Sequence, residues 1–159
     1  MDAWTTINEP LTAARFSARC GLWYPHRRSD AAFVRALLNK AQAIRLAMRR
    51  IRAERPGALL VQTEDLGRTS GTPSVASQVK FDNHRRWLNM DLLHGRVDRR
   101  HPLWRYLLRA GAGEKELCEL SDDPHTPRRG GHQPPSCASV IVFQPLGVRR
   151  VSSATIPRS

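Results

Sequence analysis

Several residue patterns that define common classes of protein are missing from this chain of 159 residues. Its three cysteines stand far apart and form no Cys-x-x-Cys pair, so the sequence predicts neither a disulfide framework nor a zinc knuckle. Its six histidines form no His-x-x-x-His pair, and we expect no metal site. Because a Gly-x-Gly-x-x-Gly word and a phosphate-binding loop are also missing, we expect no bound cofactor.

Long apolar runs are missing as well. No stretch approaches the ~20 apolar residues that cross a membrane. No basic leader followed by an apolar run opens the sequence. We therefore expect a cytoplasmic protein with no membrane partner, and its length allows one modest domain.

Lysine is scarce, although the chain carries a formal net charge of +12. Of its 26 basic residues, 23 are arginines and three are lysines. Arginine codons are mostly rich in G and C, so a GC-rich genome explains this excess. No basic stripe alternates with stacking aromatic residues, as binding to a single nucleic-acid strand requires. We therefore do not expect nucleic acid as a partner.

The strongest periodic signal in the sequence predicts a long helix after Ser29. Ser29 can cap this helix, and Asp30 places negative charge in its first turn. Apolar residues then recur at steps of three and four: Phe33, Val34, Leu37, Leu38, Ala41, Ile44, Met48 and Ile51. Pro56 and Gly57 end the helix, and its apolar stripe is expected to face the core.

Two segments of strand length flank this helix. Residues 5–7 are all β-branched, and residues 58–63 form an apolar run. A strand, a helix and a second strand in this order predict two parallel strands with a crossover helix, and hence an α/β fold. Asn8 and Glu9 follow the first strand, where the loops of such folds begin.

The second half of the chain divides into helices and a tail. Helices are predicted over residues 74–94, 103–108 and 114–120. From about residue 122 the composition changes to Pro, Arg, Gly and Ser without a period. We therefore expect one structured segment over residues 1–121 and a disordered tail over residues 122–159.

The word Trp-x-Thr-x-Asn-Glu-Pro over residues 4–10 resembles the acid/base motif of glycoside hydrolase family 1, the retaining β-glycosidases. Segments in the family's order and spacing extend this resemblance to about residue 121. A complete (β/α)8 barrel needs about 250 residues. The resemblance therefore implies a partial TIM barrel that covers roughly strands four and five with their helices. It also implies a β-glycoside as partner, and a partner chain that completes the open barrel.

The resemblance assigns roles to two residues at the end of the first strand and two in the next loop. Glu9 would be the general acid/base, and Asn8 would hydrogen-bond the sugar 2-hydroxyl. Trp23 and Tyr24 lie in the loop of residues 11–28, where substrate contacts are expected. The alternative is that these two aromatic residues cover the helix that follows.

Glu64 stands in a Thr-Glu-Asp word that is similar to the family's nucleophile word, Thr-Glu-Asn-Gly. Its place in the chain differs, because it falls at the end of strand five and the family's nucleophile at the end of strand seven. We therefore expect Glu64 to touch substrate at the rim, or to pair with Arg68, and not to act as the nucleophile.

The tail departs from the family. Where the family has a strand of the form Asp-Val-Val-Gly-Ile-Asn, residues 128–134 read Arg-Arg-Gly-Gly-His-Gln-Pro. Codons for these residues, started one base later and with suitable silent bases, spell the missing strand. We hypothesise that the tail is translated out of frame; an ordinary disordered tail is the alternative.

These expectations combine into one functional hypothesis with two alternatives. Retaining hydrolysis needs two carboxyl groups about 5–5.5 Å apart, and the sequence offers Glu9 without a candidate nucleophile. We therefore expect β-glycosidase ancestry and an inactive copy; similar barrels are sometimes fused to a dTDP-4-dehydrorhamnose reductase that acts on sugar nucleotides. The alternatives are a non-catalytic carbohydrate-binding or scaffold module that uses Trp23 and Tyr24, and a basic nucleic-acid-binding protein.

Overall fold

The computed structural model describes residues 2–122 and the backbone of two further strands. The strands are β1 (Ala3–Trp4), β2 (Leu59–Glu64), β3 (Thr69–Gly71), β4 (Val140–Phe143) and β5 (Arg149–Val151). The helices are α1 (Pro10–Ala14), α2 (Asp30–Glu54), α3 (Ala76–Arg85), α4 (Leu88–Leu93), α5 (Trp104–Arg109) and α6 (Glu114–Ser121). None of the helices in this described part is long and apolar enough to cross a membrane.

The strands form two small parallel sheets. The first has the order β1-β2-β4, with Ala3 opposite Leu59 and Val61 opposite Val140. In the second sheet β3 pairs with β5. Because β1 and β2 are parallel and α2 connects them, the predicted strand–helix–strand unit and the α/β character are confirmed. Within the described residues, these strands form no closed barrel.

Helix α2 confirms the helix that its sequence predicts. The Ser29 hydroxyl accepts a hydrogen bond of 3.3 Å from the Ala32 backbone N–H, which satisfies a donor that the helix itself leaves unpaired. The helix ends at Glu54, just before Pro56. Its buried residues are the predicted stripe except Ile51, which is half-buried: Phe33, Val34, Leu37, Leu38, Ala41, Ile44 and Met48.

The strand predicted over residues 5–7 is wrong in position, since β1 ends at Trp4. Beyond Trp4 the chain still runs beside β2, but side chains hold it there. The Thr5 hydroxyl donates to the Val61 carbonyl at 2.9 Å, and the Gln62 amide donates to the Ile7 carbonyl at 3.0 Å. These bonds take the place of a regular backbone ladder, and so the β-branched run is not a strand.

The loop predicted over residues 11–28 is wrong for its first half. Helix α1 begins at Pro10, and the chain continues as a π-helical turn over Arg15–Arg19. Proline suits the first helical position because the backbone N–H that it lacks has no partner within the helix there. Alanines at three positions of this stretch favour the helix further.

The helix predicted over residues 74–94 is present as two helices. A short 3₁₀ turn, Pro73–Val75, leads into α3, and the break before α4 falls at Arg86 and Trp87. The Trp87 N–H donates to the His84 carbonyl, only three residues earlier, at 3.1 Å. This tighter turn changes the phase of the helix, so that Leu88 enters the core with no exposed area.

Most of the core is built by helices. One cluster joins α1, α2, α4, α5 and α6, and its largest fully buried side chains are Phe33, Leu37, Leu38, Leu88, Leu92, Leu103, Leu107 and Leu117. A second cluster packs Ile44 and Met48 of α2 against Leu60 of β2. The helix layer therefore covers one face of β2, the face on which Leu60, Gln62 and Glu64 lie.

Strands β4 and β5 lie within residues 122–159, for which we expected no regular structure, so these seven residues depart from that expectation. The rest of the predicted tail lies outside the described residues. The same holds for residues 128–134, on which the out-of-frame hypothesis rests.

Candidate functional site at the strand ends

Four consecutive side chains at the end of β2 contact the segment that follows β1. We call Gln62, Thr63, Glu64 and Asp65 the polar ladder. Each of them forms a hydrogen bond or ion pair to a residue between positions 7 and 15. Because β1 and β2 are parallel, the ladder lies at the carboxyl edge of the sheet, together with the predicted site residues.

Thr63 contacts both predicted catalytic-site residues of this segment. Its hydroxyl donates to Oδ1 of Asn8 at 2.6 Å and accepts a long hydrogen bond of 3.4 Å from the Glu9 backbone N–H. Asn8 is exposed and Glu9 is half-buried, so both side chains stand at the surface of this edge. The structure therefore brings Asn8 and Glu9 together with a third residue that the sequence did not single out.

Glu9 has an unusual backbone conformation, with φ 43° and ψ 56°. The left-handed region costs a residue with a side chain about 1–2 kcal/mol. Glu9 also precedes Pro10, which restricts its backbone further. Its carbonyl accepts the first helical hydrogen bond of α1, from Ala13 at 2.9 Å, but its side chain does not cap the helix. Strain of this kind recurs at functional sites.

Glu64 is 1% exposed, and its side chain faces the helix layer. Its Oε1 accepts a hydrogen bond of 2.8 Å from the Leu11 N–H, in the first turn of α1. Burial raises the pKa of Glu64 to about 7, and the charge of Glu9 acts in the same direction; the Leu11 N–H and the Arg15 charge partly oppose them. The carboxyl thus contacts the helix and not Arg68, and little of it faces solvent.

Asp65 ends the ladder with an ion pair. Its Oδ2 lies 3.1 Å from Nη2 of Arg15, and the two side chains are 15% and 16% exposed. The other oxygen, Oδ1, accepts from the Gly67 N–H at 3.0 Å. The pair therefore ties the π-helical turn after α1 to the end of β2.

Trp23 and Tyr24, the predicted aromatic contacts, are 51% and 86% exposed. Trp23 packs edge-to-face on Phe16, with ring centroids 5.1 Å apart, and Tyr24 packs on His26. Among the hydrogen bonds and ring contacts of residues 2–122, none joins either ring to Asn8 or Glu9. Trp23 therefore contacts the π-helical turn that precedes it. The alternative drawn from the sequence was that Trp23 and Tyr24 cover the helix that follows.

Sequence reasoning missed three members of the ladder, Gln62, Thr63 and Asp65. A signal was present, since Gln62 and Glu64 interrupt an apolar strand two residues apart and so share one face. It also missed Arg85, which is 6% exposed and pairs with Asp82 at 2.6 Å. Burial lowers the pKa of Arg85 to about 10.

Residues 2–122 contain no group of three or more His, Cys, Asp or Glu side chains placed to hold a metal ion. Within this range the strand ends carry carboxyl, amide, hydroxyl and guanidinium groups, from Glu9, Asn8, Thr63 and Arg15 among others. Such a set can bind the hydroxyl groups of a sugar and can transfer a proton.

Comparisons with known proteins give no relative from which a function could be transferred. No protein-family model, no curated protein and no solved structure matches this chain. The function is therefore inferred from the chain's own residues and their contacts.

Proposed function

We propose that this chain carries the proton-donating half of a retaining β-glycosidase site. In this proposal Glu9 is the general acid/base, and Asn8 hydrogen-bonds the 2-hydroxyl of the sugar. The observation that supports it is the position of the two side chains. Both follow β1 at the carboxyl edge of a parallel strand pair, which is the edge where α/β enzymes carry their sites.

The proposal includes the larger architecture that the motif implies. The unit β1–α2–β2 would be strands four and five of a (β/α)8 barrel, with α2 as the helix between them. The parallel register of β1 and β2 and the cover of β2 by α2 support this assignment. Either a second chain or another segment would then complete the barrel.

Retention requires a second carboxylate, the nucleophile, about 5–5.5 Å from the acid/base. Glu64 is unsuited to that role, because its side chain is buried and bonded to the Leu11 N–H. Glu9 would donate its proton to the leaving oxygen and later take one from water. We therefore expect the isolated chain to bind a β-glycoside weakly and not to hydrolyse it.

Two measurements on the purified chain test this proposal. An NMR titration with an aryl β-glucoside should shift the amide signals of Asn8 and Glu9, and Asn8→Ala should weaken the binding about fivefold or more, the loss of roughly one hydrogen bond. Glu119→Gln removes an exposed carboxylate on α6 and should leave the affinity unchanged. Absence of binding by the wild-type chain would overturn the proposal.

The second measurement is release of the aryl group. We expect no release above that of buffer from either the wild type or Glu9→Gln. Release by the wild type that Glu9→Gln abolishes would show a complete site, and would contradict the proposed lack of a nucleophile. Rescue of release in the wild-type chain by added azide would instead support the proposed lack of a nucleophile, since azide replaces a missing carboxylate.

A second candidate function is sugar binding without proton transfer, through the exposed rings of Trp23 and Tyr24. Their exposure of 51% and 86% in adjacent positions favours it, because sugar rings stack on exposed aromatic faces. Trp23→Ala would then abolish the binding, and Asn8→Ala would leave it unchanged. The same titration with these two variants separates the candidates.

A further inference from the structure

The first turn of helix α1 donates a hydrogen bond to an unusual acceptor. The residue that precedes a helix normally accepts a hydrogen bond from the first turn with its own side chain. Glu9 occupies that position, yet its side chain makes no such bond. The acceptor is Glu64, whose Oε1 lies 2.8 Å from the Leu11 nitrogen. The capping group therefore comes from a neighbouring strand and not from the residue before the helix.

Because Glu64 caps the helix, the Glu9 carboxyl is available to contact a ligand. Pro10 has no N–H, so Leu11 carries the first N–H of α1 that needs a partner. Once Glu64 supplies that partner, the helix no longer requires the Glu9 side chain. The Glu9 backbone N–H is directed toward the Thr63 hydroxyl, which also holds Oδ1 of Asn8 at 2.6 Å.

The strained backbone of Glu9 needs such support. A side-chain-bearing residue stays in the left-handed region only when surrounding contacts fix it there. Thr63 contacts the N–H of Glu9, and Glu64 contacts the N–H of Leu11, two residues later. The two contacts therefore bracket the strained residue from both sides.

We propose that Thr63 and Glu64 are positioning residues, which fix the backbone from Asn8 to Leu11 and so direct the Glu9 carboxyl toward a ligand. The role of that carboxyl as proton donor rests on the proposed function above. The positioning itself does not, because it concerns the backbone of the free chain. Glu64 acts through the helix and would not touch the glycoside, in contrast to the substrate contact that the sequence led us to expect.

The test uses ¹⁵N-labelled full-length chain without ligand. Thr63→Val keeps the shape of the side chain and removes the hydroxyl, and Thr63→Ser keeps the hydroxyl. Thr63→Val should speed hydrogen exchange at the Glu9 amide about tenfold and change its three-bond HN–Hα coupling, because local opening becomes easier. Thr63→Ser should give the wild-type values of both the exchange rate and the coupling. Unchanged values in Thr63→Val, or failure of Thr63→Ser to restore them, would overturn the role of Thr63.

Glu64 is tested by a matched pair in the same way. Glu64→Leu removes the acceptor and should speed exchange at the Leu11 amide about tenfold, whereas Glu64→Gln keeps an oxygen acceptor and should leave exchange slow. If Glu64→Leu fails to fold, Glu64→Met tests the same loss with a more adaptable side chain. Equal exchange in the wild type and a folded Leu or Met variant would overturn the role of Glu64.

The glycoside titration then separates the two proposals. If Thr63→Val speeds exchange at the Glu9 amide and weakens glycoside binding while Thr63→Ser does neither, the proposed function and the positioning role are both supported. If the exchange results hold but the wild type binds no glycoside, the proposed function fails and the positioning role stands. If the wild type binds glycoside and exchange is unaffected in every variant, the positioning role fails alone.

Discussion

Oε1 of Glu64 and the backbone nitrogen of Leu11 lie 2.8 Å apart, although the two residues are 53 positions apart in the chain. This hydrogen bond joins the end of a strand to the beginning of a helix that follows a different strand. It holds a buried acidic group in contact with the positive end of a helix. The stability of the chain should therefore depend on the protonation of Glu64.

The first prediction concerns pH. Burial raises the pKa of Glu64 from its ordinary value of 4.5 to about 7, so between these values the folded chain binds more protons than the unfolded chain. The free energy of unfolding should then decrease as pH rises from about 4.5 to 7, by at most about 3 kcal/mol, and this contribution should be constant above that range. Urea denaturation at pH 5, 6 and 8 measures it.

Glu64→Gln should remove this decrease, because the amide does not titrate. Glu119→Gln, which changes an exposed carboxylate, should keep it. The same pH slope in wild type and Glu64→Gln would contradict the raised pKa of Glu64.

The second prediction concerns the ion pair of the buried Arg85 with the half-buried Asp82, whose closest atoms are 2.6 Å apart. Asp82→Asn would leave the Arg85 charge buried with no opposite charge at that position. It should lower the free energy of unfolding by about 3 kcal/mol. Adding Arg85→Met to Asp82→Asn should recover much of that loss, because the buried charge is then gone.

Urea denaturation of Asp82→Asn, Arg85→Met and the double variant gives a double-mutant cycle for this ion pair. A loss below about 1 kcal/mol in Asp82→Asn would mean that water or another group solvates Arg85. A double variant less stable than Asp82→Asn alone would also contradict the expected compensation.

The third prediction compares two glycines. Gly95 has φ +66°, and a Cβ there would lie 2.8 Å from the Ser121 carbonyl oxygen. Gly95→Ala should therefore lower the free energy of unfolding by about 2 kcal/mol, through backbone strain and this close contact. Gly57→Ala meets open space and should change it by less than about 0.5 kcal/mol.

Thermal and urea unfolding of both variants give the comparison. Equal stability of the two variants would mean that α4 and α6 shift apart at no cost, and would contradict the tight approach of Gly95 to Ser121.

The sequence predicts the parts of this fold that local residues decide. Helix α2 follows from its cap at Ser29, its apolar period and the stop at Pro56, all of which lie within or beside the helix. The parallel pair β1 and β2 follows from the order of strand, helix and strand. The α/β character of the chain could therefore be predicted from the sequence.

The parts that the sequence did not predict depend on distant residues. The strand expected over residues 5–7 ends at Trp4, because Gln62 binds the Ile7 carbonyl from 55 positions away. The contact of Glu64 likewise depends on where α1 begins. No local pattern indicates which of the two faces of a short strand a helix will cover, and so the sequence alone places Glu64 at the rim.

The candidate site could be predicted only in part, because some of its residues are adjacent in the sequence and others are distant. Asn8 and Glu9 stand side by side in the sequence, and the proline after them ends the segment, so their position at a strand end is a local property. Their partner Thr63 comes from β2, and only the register of β1 and β2 brings it within 2.6 Å of Asn8. Trp23 was expected near the same site, but its ring packs on Phe16.

The last prediction concerns the strain at Glu9. Its left-handed backbone costs about 1–2 kcal/mol with a side chain present, and glycine adopts the same conformation without that cost. Glycine also loses about 0.5–1 kcal/mol of chain entropy on folding. Glu9→Gly should therefore stabilise the chain slightly, by about 0.5–1 kcal/mol in urea denaturation, while it removes the proposed proton donor.

Glu9→Gln separates the backbone from the charge in this prediction. It keeps the strained conformation and removes the negative charge of Glu9, which adds to the effect of burial in raising the pKa of nearby Glu64. If Glu9→Gly is more stable than Glu9→Gln at pH 8, where Glu64 is charged in both, the gain comes from the backbone. If Glu9→Gln is as stable as Glu9→Gly, the gain comes from removing one of two neighbouring carboxylates. A residue retained at a cost to stability is typical of a site selected for its chemistry, so a gain from the backbone would favour a functional Glu9.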